Sequence, residues 1–317
     1  MFFVSHGAAD SDTISISSGE GTAVGDSSAD VAELALSFGS RPDISARSVL
    51  VTIFGDSIVP AGGVIWLGDL IDICAPFGFN DRLVRTSISR LTGEAWFETE
   101  RVGRRSRYRL TTAACDEFAA AETRIYHLPA PQWDGRWTLV FPPADRPSGI
   151  ESTLRWRGFG RLAAGVLAHP YEGVDAVQRV LSRDGLSARV PVATARFDEL
   201  GPLVEADDFA ESFGLVEAGH RYGAFSDRYR WTAGVDLDRL GGVDAFLVRT
   251  MLVHDFRRPR LADPDLPPEL TPPGWPAPAA FALAGDAYRA VAATSDDWIA
   301  RFDGLAPGPD MREQRFL

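Results

Sequence analysis

The chain has no lysine. All 32 of its basic residues are arginine, set against 44 acids, so the formal net charge is −12. Acid in such excess speaks against a polyanion covering the surface at large, and leaves a local basic patch as the route to nucleic acid. The missing lysine reflects biased composition first and arginine-rich recognition second. Cysteine is almost absent as well. Cys74 and Cys115 are the only two, with neither metal-ligand spacing nor a disulfide framework, and a reducing cytosol fits. No run of 18 apolar residues and no signal peptide is found, so no membrane partner is expected. The five histidines, His6, His127, His169, His220 and His254, are scattered, and none makes a close metal-ligand pair with another histidine or a cysteine. There is no GxGxxG at a strand–helix junction, no Walker loop and no GxSxG in a nucleophile context. The expectation is a chain without catalytic residues, metal or cofactor, and therefore not an enzyme.

What is present is concentrated in residues 78–111, which read GFNDRLVRTSISRLTGEAWFETERVGRRSRYRLT. Asn80 is placed to cap a helix. Val84, Ile88 and Leu91 recur at helical spacing and make one apolar face. Arg82, Arg85, Thr86 and Ser89 share another face, and Gly93 ends the helix. Residues 96–100 read as a strand, 103–105 as a tight turn and 106–110 as the return strand. The hairpin carries Arg101, Arg104, Arg105, Arg107 and Arg109, five arginines in nine residues, with no acid after Glu100. A helix followed by an arginine-tipped hairpin is the layout of a winged helix-turn-helix, with one element for the major groove and one for backbone or minor groove. The DNA-binding candidates are thus Asn80, Arg82, Arg85, Thr86, Ser89 and Arg90 on the helix, and Arg101, Arg104, Arg105 and Arg107 on the hairpin. Arg85 is the choice for bidentate contact to guanine. Arg82 and Arg90 suit phosphate, and Arg109 is partly structural. The competing reading is a solvated basic hairpin with no partner.

The 317 residues suit two or three domains. Residues 1–42 hold six acids before their first arginine, half of the net charge; they read as a disordered acidic extension, with a short helix near 29–38. Helices are expected at 44–56, 64–75 and 112–127, with Trp66 and Trp96 in the core and a linker after residue 127, so that the first domain spans 43–128. Strands at 137–141, 165–168 and 188–192, with helices at 149–156 and 174–181, give βαβ-like spacing for a small α/β domain over 129–204. Its expected sheet core is Trp137, Leu139, Val166 and Val190. Residues 205–317 read as a helical domain with helices at 207–230, 242–258 and 279–299, interrupted by a proline-dense loop at 264–278.

Six blocks in one order carry a family resemblance: VTIFGDSIVPAGGVIWLGDLI (51–71), FGFNDRLVRTSISRL (77–91), GRRSRYRLT (103–111), WDGRWTLV (133–140), LRWRGFGRLAAGV (154–166), and HDFRR (254–258) with DPDLPPELTPPGW (263–275). Over roughly residues 43–300 the chain resembles the PaaX-type transcriptional regulators, repressors of phenylacetic acid degradation operons. The resemblance implies an α+β protein with an N-terminal winged helix-turn-helix, a central ferredoxin-like domain of the Cas2 kind and a helical C-terminal domain. It also implies a cytoplasmic homodimer on a palindromic double-stranded operator, associated with the nucleoid when bound, and released by an acyl-coenzyme A such as phenylacetyl-coenzyme A. Such an effector wants arginines for its phosphates and an apolar slot for its acyl group. Candidates are Arg155, Trp156, Arg157 and Phe159, then Arg221, Tyr222 and Trp231, and His254, Arg257 and Arg258; interdomain packing is the competing role for each. Two other functions stay open. One is a metal-dependent nuclease-like protein, with Asp134 the acid nearest the first central strand. The other is a winged-helix protein-interaction module without DNA.

Overall fold

The described residues form two compact units that do not follow chain order. A computed structural model describes residues 28–128, 133–143, 150–151, 154–155, 157–183, 189–197, 209–308 and 314–316. One unit holds Leu128–Ala224 with Arg258–Pro278. The other holds the described residues up to His127, with Phe225–Arg257 and those from Ala279 onward. The helical stretch expected as one domain over 205–317 is thus shared between both.

The arginine hairpin lies in the second of these units, which begins with α1 (Ser28–Ser40). There the short helix expected near 29–38 within the acidic extension is found, two residues longer at its end. Val31, Ala35 and Phe38 are buried on one face of α1. Arg41 then reaches the Asp255 carboxylate at 2.7 Å. Residues 1–27 lie outside the described residues. The fit at the end of α1 is close: a Cβ on Gly39 would sit 1.9 Å from the Phe77 carbonyl oxygen. Backbone cannot yield as a side-chain tip can. Gly39→Ala is therefore expected to lift α1 off, at a cost of at least about 1–3 kcal/mol of overpacking. Amide exchange in α1 should approach that of a free helix; unchanged protection would contradict the fit.

α2 (Ala46–Ile53) starts at a capping box. The Ser45 hydroxyl accepts from Ser48 N at 3.1 Å, and the Ser48 hydroxyl from Ser45 N at 3.2 Å. It runs on into a π-helical turn, Phe54–Ile58, which carries Asp56 into the interior. The expected helix at 64–75 is a strand followed by a shorter helix: β1 (Val64–Trp66), then α3 (Leu67–Cys74). Apolar spacing cannot separate the two states here. What decides is pairing with a strand over 40 residues later, Val64 opposite Arg109 and Trp66 opposite Arg107. A 3-10 turn, Ala75–Phe77, leads to α4 (Asp81–Gly93). β2 (Phe97–Val102), β3 (Arg105–Leu110) and α5 (Thr112–Tyr126) complete the segment. The sheet is antiparallel in the order β1-β3-β2. The Cys74 thiol is buried, and burial pushes it up to about 12; Cys115 is exposed.

The other unit is built on β4 (Arg136–Val140), β5 (Gly160–Ala163), β6 (Val166–His169) and β7 (Val192–Arg196). Their order is β5-β6-β4-β7, with every pair antiparallel. With the helical residues 150–151 and 154–155 and with α6 (Val174–Arg183), this is the order of a βαββαβ sheet. Two expectations are corrected. The last strand is 192–196 rather than 188–192, because β4 pairs from Val140 opposite Val192 to Arg136 opposite Arg196. The expected core residues also do not share one core. Alternation sends neighbours to opposite faces. Val140, Leu167 and Val190 pack with Leu154, Val177 and Leu181. Trp137 and Leu139 pack instead with Phe209, Phe213 and Leu270.

The remaining helices are α7 (Phe209–Ser212), α8 (Leu215–Tyr229), α9 (Gly242–Ala262) and α10 (Ala277–Ile299). No described helix is long and apolar enough to cross a membrane.

Candidate nucleic-acid interface

α4 is fixed at both ends by its own sequence. The Asn80 side chain accepts a hydrogen bond from Leu83 N at 2.9 Å, satisfying an otherwise orphaned donor of the first turn. The helix ends at Gly93, as expected, and a closing motif follows. Trp96 N donates to Leu91 O and Ala95 N to Thr92 O, a Schellman closure with Ala95 in the left-handed conformation at φ 61°. Val84, Ser87, Ile88 and Leu91 are buried, and α4 packs on α2 and α3. Arg82, Leu83, Arg85, Thr86, Ser89 and Arg90 are all exposed. One charged side chain of this outer face is engaged: Arg85 pairs with Asp81 one turn back. An exposed pair at that spacing is worth only about 0.3–0.5 kcal/mol, so a stronger acceptor would displace it. Thr86 donates its hydroxyl to Arg82 O at 2.8 Å. Arg82 and Arg90 make no ion pair among the described residues. Leu83, exposed among these polar groups, was not singled out by periodicity, because an apolar residue says nothing about exposure until the helix is docked.

The hairpin turns on Gly103 and Arg104. Gly103 has φ 61° and is the first central residue of a two-residue connection, where a II′ turn requires glycine. That short turn also sets the register, and the register sorts the arginines. Glu100 faces Arg107 and Glu98 faces Arg109. Arg107 makes a two-pronged bond to Glu100 at 2.8 and 3.0 Å, and Arg109 meets Glu98 at 2.6 Å. Arg107, expected to offer its charge outward, has it neutralised within the hairpin. Arg105 lies over the Trp66 ring at 4.2 Å. Trp66 is only partly buried and donates its indole N–H to Asp303 at 2.9 Å. Arg101 and Arg104 are exposed at the tip with no ion pair among the described residues. Val102 is exposed between them.

The candidate effector residues differ in burial and are divided between the two units. Arg155 and Arg258 are exposed, Arg157 meets Glu172 at 3.4 Å, and Arg221 meets Glu217 at 2.9 Å. Phe159 is buried in the core beneath the four-stranded sheet. Tyr222 is fully buried and donates its hydroxyl to Asp263 at 2.8 Å. Those six belong to the four-stranded unit, whereas Trp231, His254 and Arg257 belong to the other. Trp156 lies outside the described residues. The run from His254 to Arg258 is not one anchor, because helical steps turn His254 and Arg257 inward and Arg258 outward. His254 Nδ1 shares a 2.9 Å hydrogen bond with the Thr52 hydroxyl, and Arg257 donates to Ser48 O at 3.2 Å. Asp134 is exposed and accepts from Arg136 N at 2.9 Å, which closes a turn. Among the described residues, no three of His, Cys, Asp and Glu gather as metal ligands.

A charged cluster that sequence reading missed lies in the hairpin unit. Asp56 accepts from Arg249 Nε at 2.6 Å, from the Tyr126 hydroxyl at 2.6 Å and from Arg315 at 2.9 Å. Arg249 also reaches Asp296 at 2.5 Å. Burial by itself pushes the Asp56 carboxyl up, but Arg249, Arg315 and the Tyr126 hydroxyl together hold it below the ordinary value. Asp255 anchors a second cluster, accepting from Arg41, from Arg228 at 3.1 Å and from the Tyr229 hydroxyl at 3.0 Å. Partners this far apart in sequence leave no local pattern.

Comparison with known proteins gives three family matches in chain order. Residues 45–114 match the family described as PaaX-like protein, residues 130–206 the PaaX protein central Cas2-like domain, and residues 213–301 the PaaX-like protein C-terminal domain. The transcriptional repressor PaaX of Escherichia coli (strain K12) is 34% identical over 262 residues, covering 78% of this chain and 81% of that protein. Among solved structures, an uncharacterized protein from Mycobacterium tuberculosis superposes with a TM-score of 0.51 at 23% identity, over 80% of this chain and 98% of the other. That likeness bears on the fold alone. With three successive domains matched and a relative above 30% identity over 81% of its length, the chain belongs to the PaaX family.

Proposed function

We propose that the chain is a DNA-binding transcriptional repressor whose residues 43–128 form a winged helix-turn-helix, with α3 and α4 as the helix pair and β2–β3 as the wing. The observation that carries this reading is the outer face of α4: five polar side chains and Leu83 stand exposed on a helix whose opposite face is buried. Such a helix fits a major groove, where arginine reads guanine and an apolar side chain meets the thymine methyl. The curated relative is named a transcriptional repressor, which supports regulation rather than catalysis. A homodimer on a palindromic operator in the cytoplasm completes the proposal, since two-fold protein symmetry is matched by operator symmetry. Residues 129–204 and 205–317 are the central and helical domains of this reading. An acyl-coenzyme A effector remains part of this reading, with Arg155, Arg157 and Arg221, whose side chains face solvent, as the candidates for its phosphates.

Selection from a random duplex library, followed by footprinting, tests the central claim. A symmetric protected site is expected. Arg85→Ala should relax preference at one symmetric position by about 1–3 kcal/mol, roughly 5- to 150-fold. Unchanged preference in a folded variant removes Arg85 from base reading, and no selective duplex binding by the parent removes the function. Calorimetry against aryl- and alkyl-coenzyme A thioesters, with and without operator, tests the effector. Thioester binding that operator weakens is expected, because linkage is reciprocal.

A further inference from the structure

Residues Gln314–Phe316 belong to no helix or strand, yet Arg315 and Phe316 are among the most buried side chains of the hairpin unit. The Arg315 guanidinium is met by acceptors on every side. Nη1 donates to Asp56 O at 2.8 Å, to its carboxylate at 2.9 Å and to the Tyr288 hydroxyl at 2.8 Å. Nη2 donates to Glu122 at 2.7 Å and to Gly55 O at 3.4 Å, and Nε to Glu122 at 3.2 Å. The group lies over the Tyr126 ring at 4.2 Å. Phe316 then enters a box of four rings. Tyr126, Phe281 and Tyr288 are each 5.2 Å away and Phe256 is 5.6 Å away. Its backbone is held at both ends: Phe316 N donates to Tyr126 O and Arg289 donates to Phe316 O, both at 2.9 Å. The residue sits at φ 58°, a conformation a phenylalanine adopts only where its surroundings impose it.

These contacts have the composition of a ligand site. One wall, from the π turn and α5, supplies Gly55, Asp56, Glu122 and Tyr126. The other, from α9 and α10, supplies Phe256, Phe281, Tyr288 and Arg289. Every hydrogen-bond partner of the guanidinium accepts from it, and two are carboxylates, one of them shared with Arg249, so the site suits a cation. We propose that it is a receptor for a guanidinium followed by an aryl side chain, that Arg315–Phe316 is its built-in occupant, and that this dipeptide latches the helix–hairpin segment to α9 and α10. The acyl-coenzyme A effector proposed above is the wrong charge for this site.

The test uses a variant ending at Gly308 and a synthetic peptide of residues 309–317. The shortened variant is expected to melt below the full chain, to bind the peptide saturably one to one, and to recover its melting temperature when the peptide is added. Peptides carrying Arg315→Ala or Phe316→Ala should bind at least tenfold more weakly. A shortened variant that melts like the full chain, or that folds and ignores the peptide, overturns the proposal. Should the shortened variant not fold, Arg315→Gln in the full chain decides. Faster amide exchange at the π turn and the end of α5, with the β4–β6 sheet unchanged, supports the latch. No difference from the parent refutes it.

Discussion

Replacing Asp56 by asparagine is expected to lower stability by about 3–5 kcal/mol, the loss typical when one partner of a buried ion pair is removed. Asparagine fills the same space, so no cavity contributes. It can still accept from the Tyr126 hydroxyl. What it removes is the charge facing two buried guanidiniums. Arg249 is left with Asp296 and Arg315 with Glu122, and Asp296 and Glu122 then carry the whole compensation. The carboxyl is held below its ordinary value in the folded protein, so its contribution is complete above the unfolded pKa, near 4, and is lost as pH falls through the lower folded value. Acid unfolding of the parent should therefore steepen below about pH 4, and Asp56→Asn should lack that component. Exchange protection in α10 and the π turn reports on this unit directly. A variant as protected as the parent would mean that Asp296 and Glu122 alone suffice. Replacing Asp56 and Arg249 together by apolar residues should recover part of the loss, since a well-packed apolar pair avoids the desolvation cost.

Removing the free arginines at the wing tip should cost more DNA affinity than removing the paired ones. Arg101 and Arg104 make no ion pair among the described residues, whereas Arg107 and Arg109 are matched by Glu100 and Glu98. Each phosphate contact contributes about −0.9 to the slope of log affinity against log salt. The double variant Arg101→Ala, Arg104→Ala should flatten that slope by about 1.8. With the curves converging at 1 M salt, this is a loss of about 60-fold at 0.1 M. Arg107→Ala should change the slope far less, because the charge it removes is already balanced. The opposite experiment has the opposite sign. Glu100→Gln frees Arg107 and should steepen the slope by up to about one contact. Equal slopes for the parent and the tip variant would remove the wing from backbone contact. A large effect of Arg107→Ala with none from Glu100→Gln would mean that the ion pair opens on DNA.

The helix-and-hairpin segment is legible from sequence because its determinants are local. Asn80 caps the helix three residues from the amide it serves, and Val84, Ile88 and Leu91 mark the buried face at helical spacing. Gly103 sets a two-residue turn, and such a turn pairs residues whose numbers sum to a constant. The expected turn over 103–105 is one residue too long, and the partnership of Glu100 with Arg107 follows only from the two-residue turn that the structure shows. Tertiary structure alone decided the rest. β1 is a strand because β3 lies beside it, and the helix expected near 29–38 is docked where Gly39 fits against a carbonyl that belongs to another turn. The Asp56 cluster joins side chains 193 and 259 positions apart. In sequence Asp56 and Arg249 are each one charged residue in an apolar stretch, and Arg315 one arginine in a polar tail, so their burial together becomes visible only when the chain is packed.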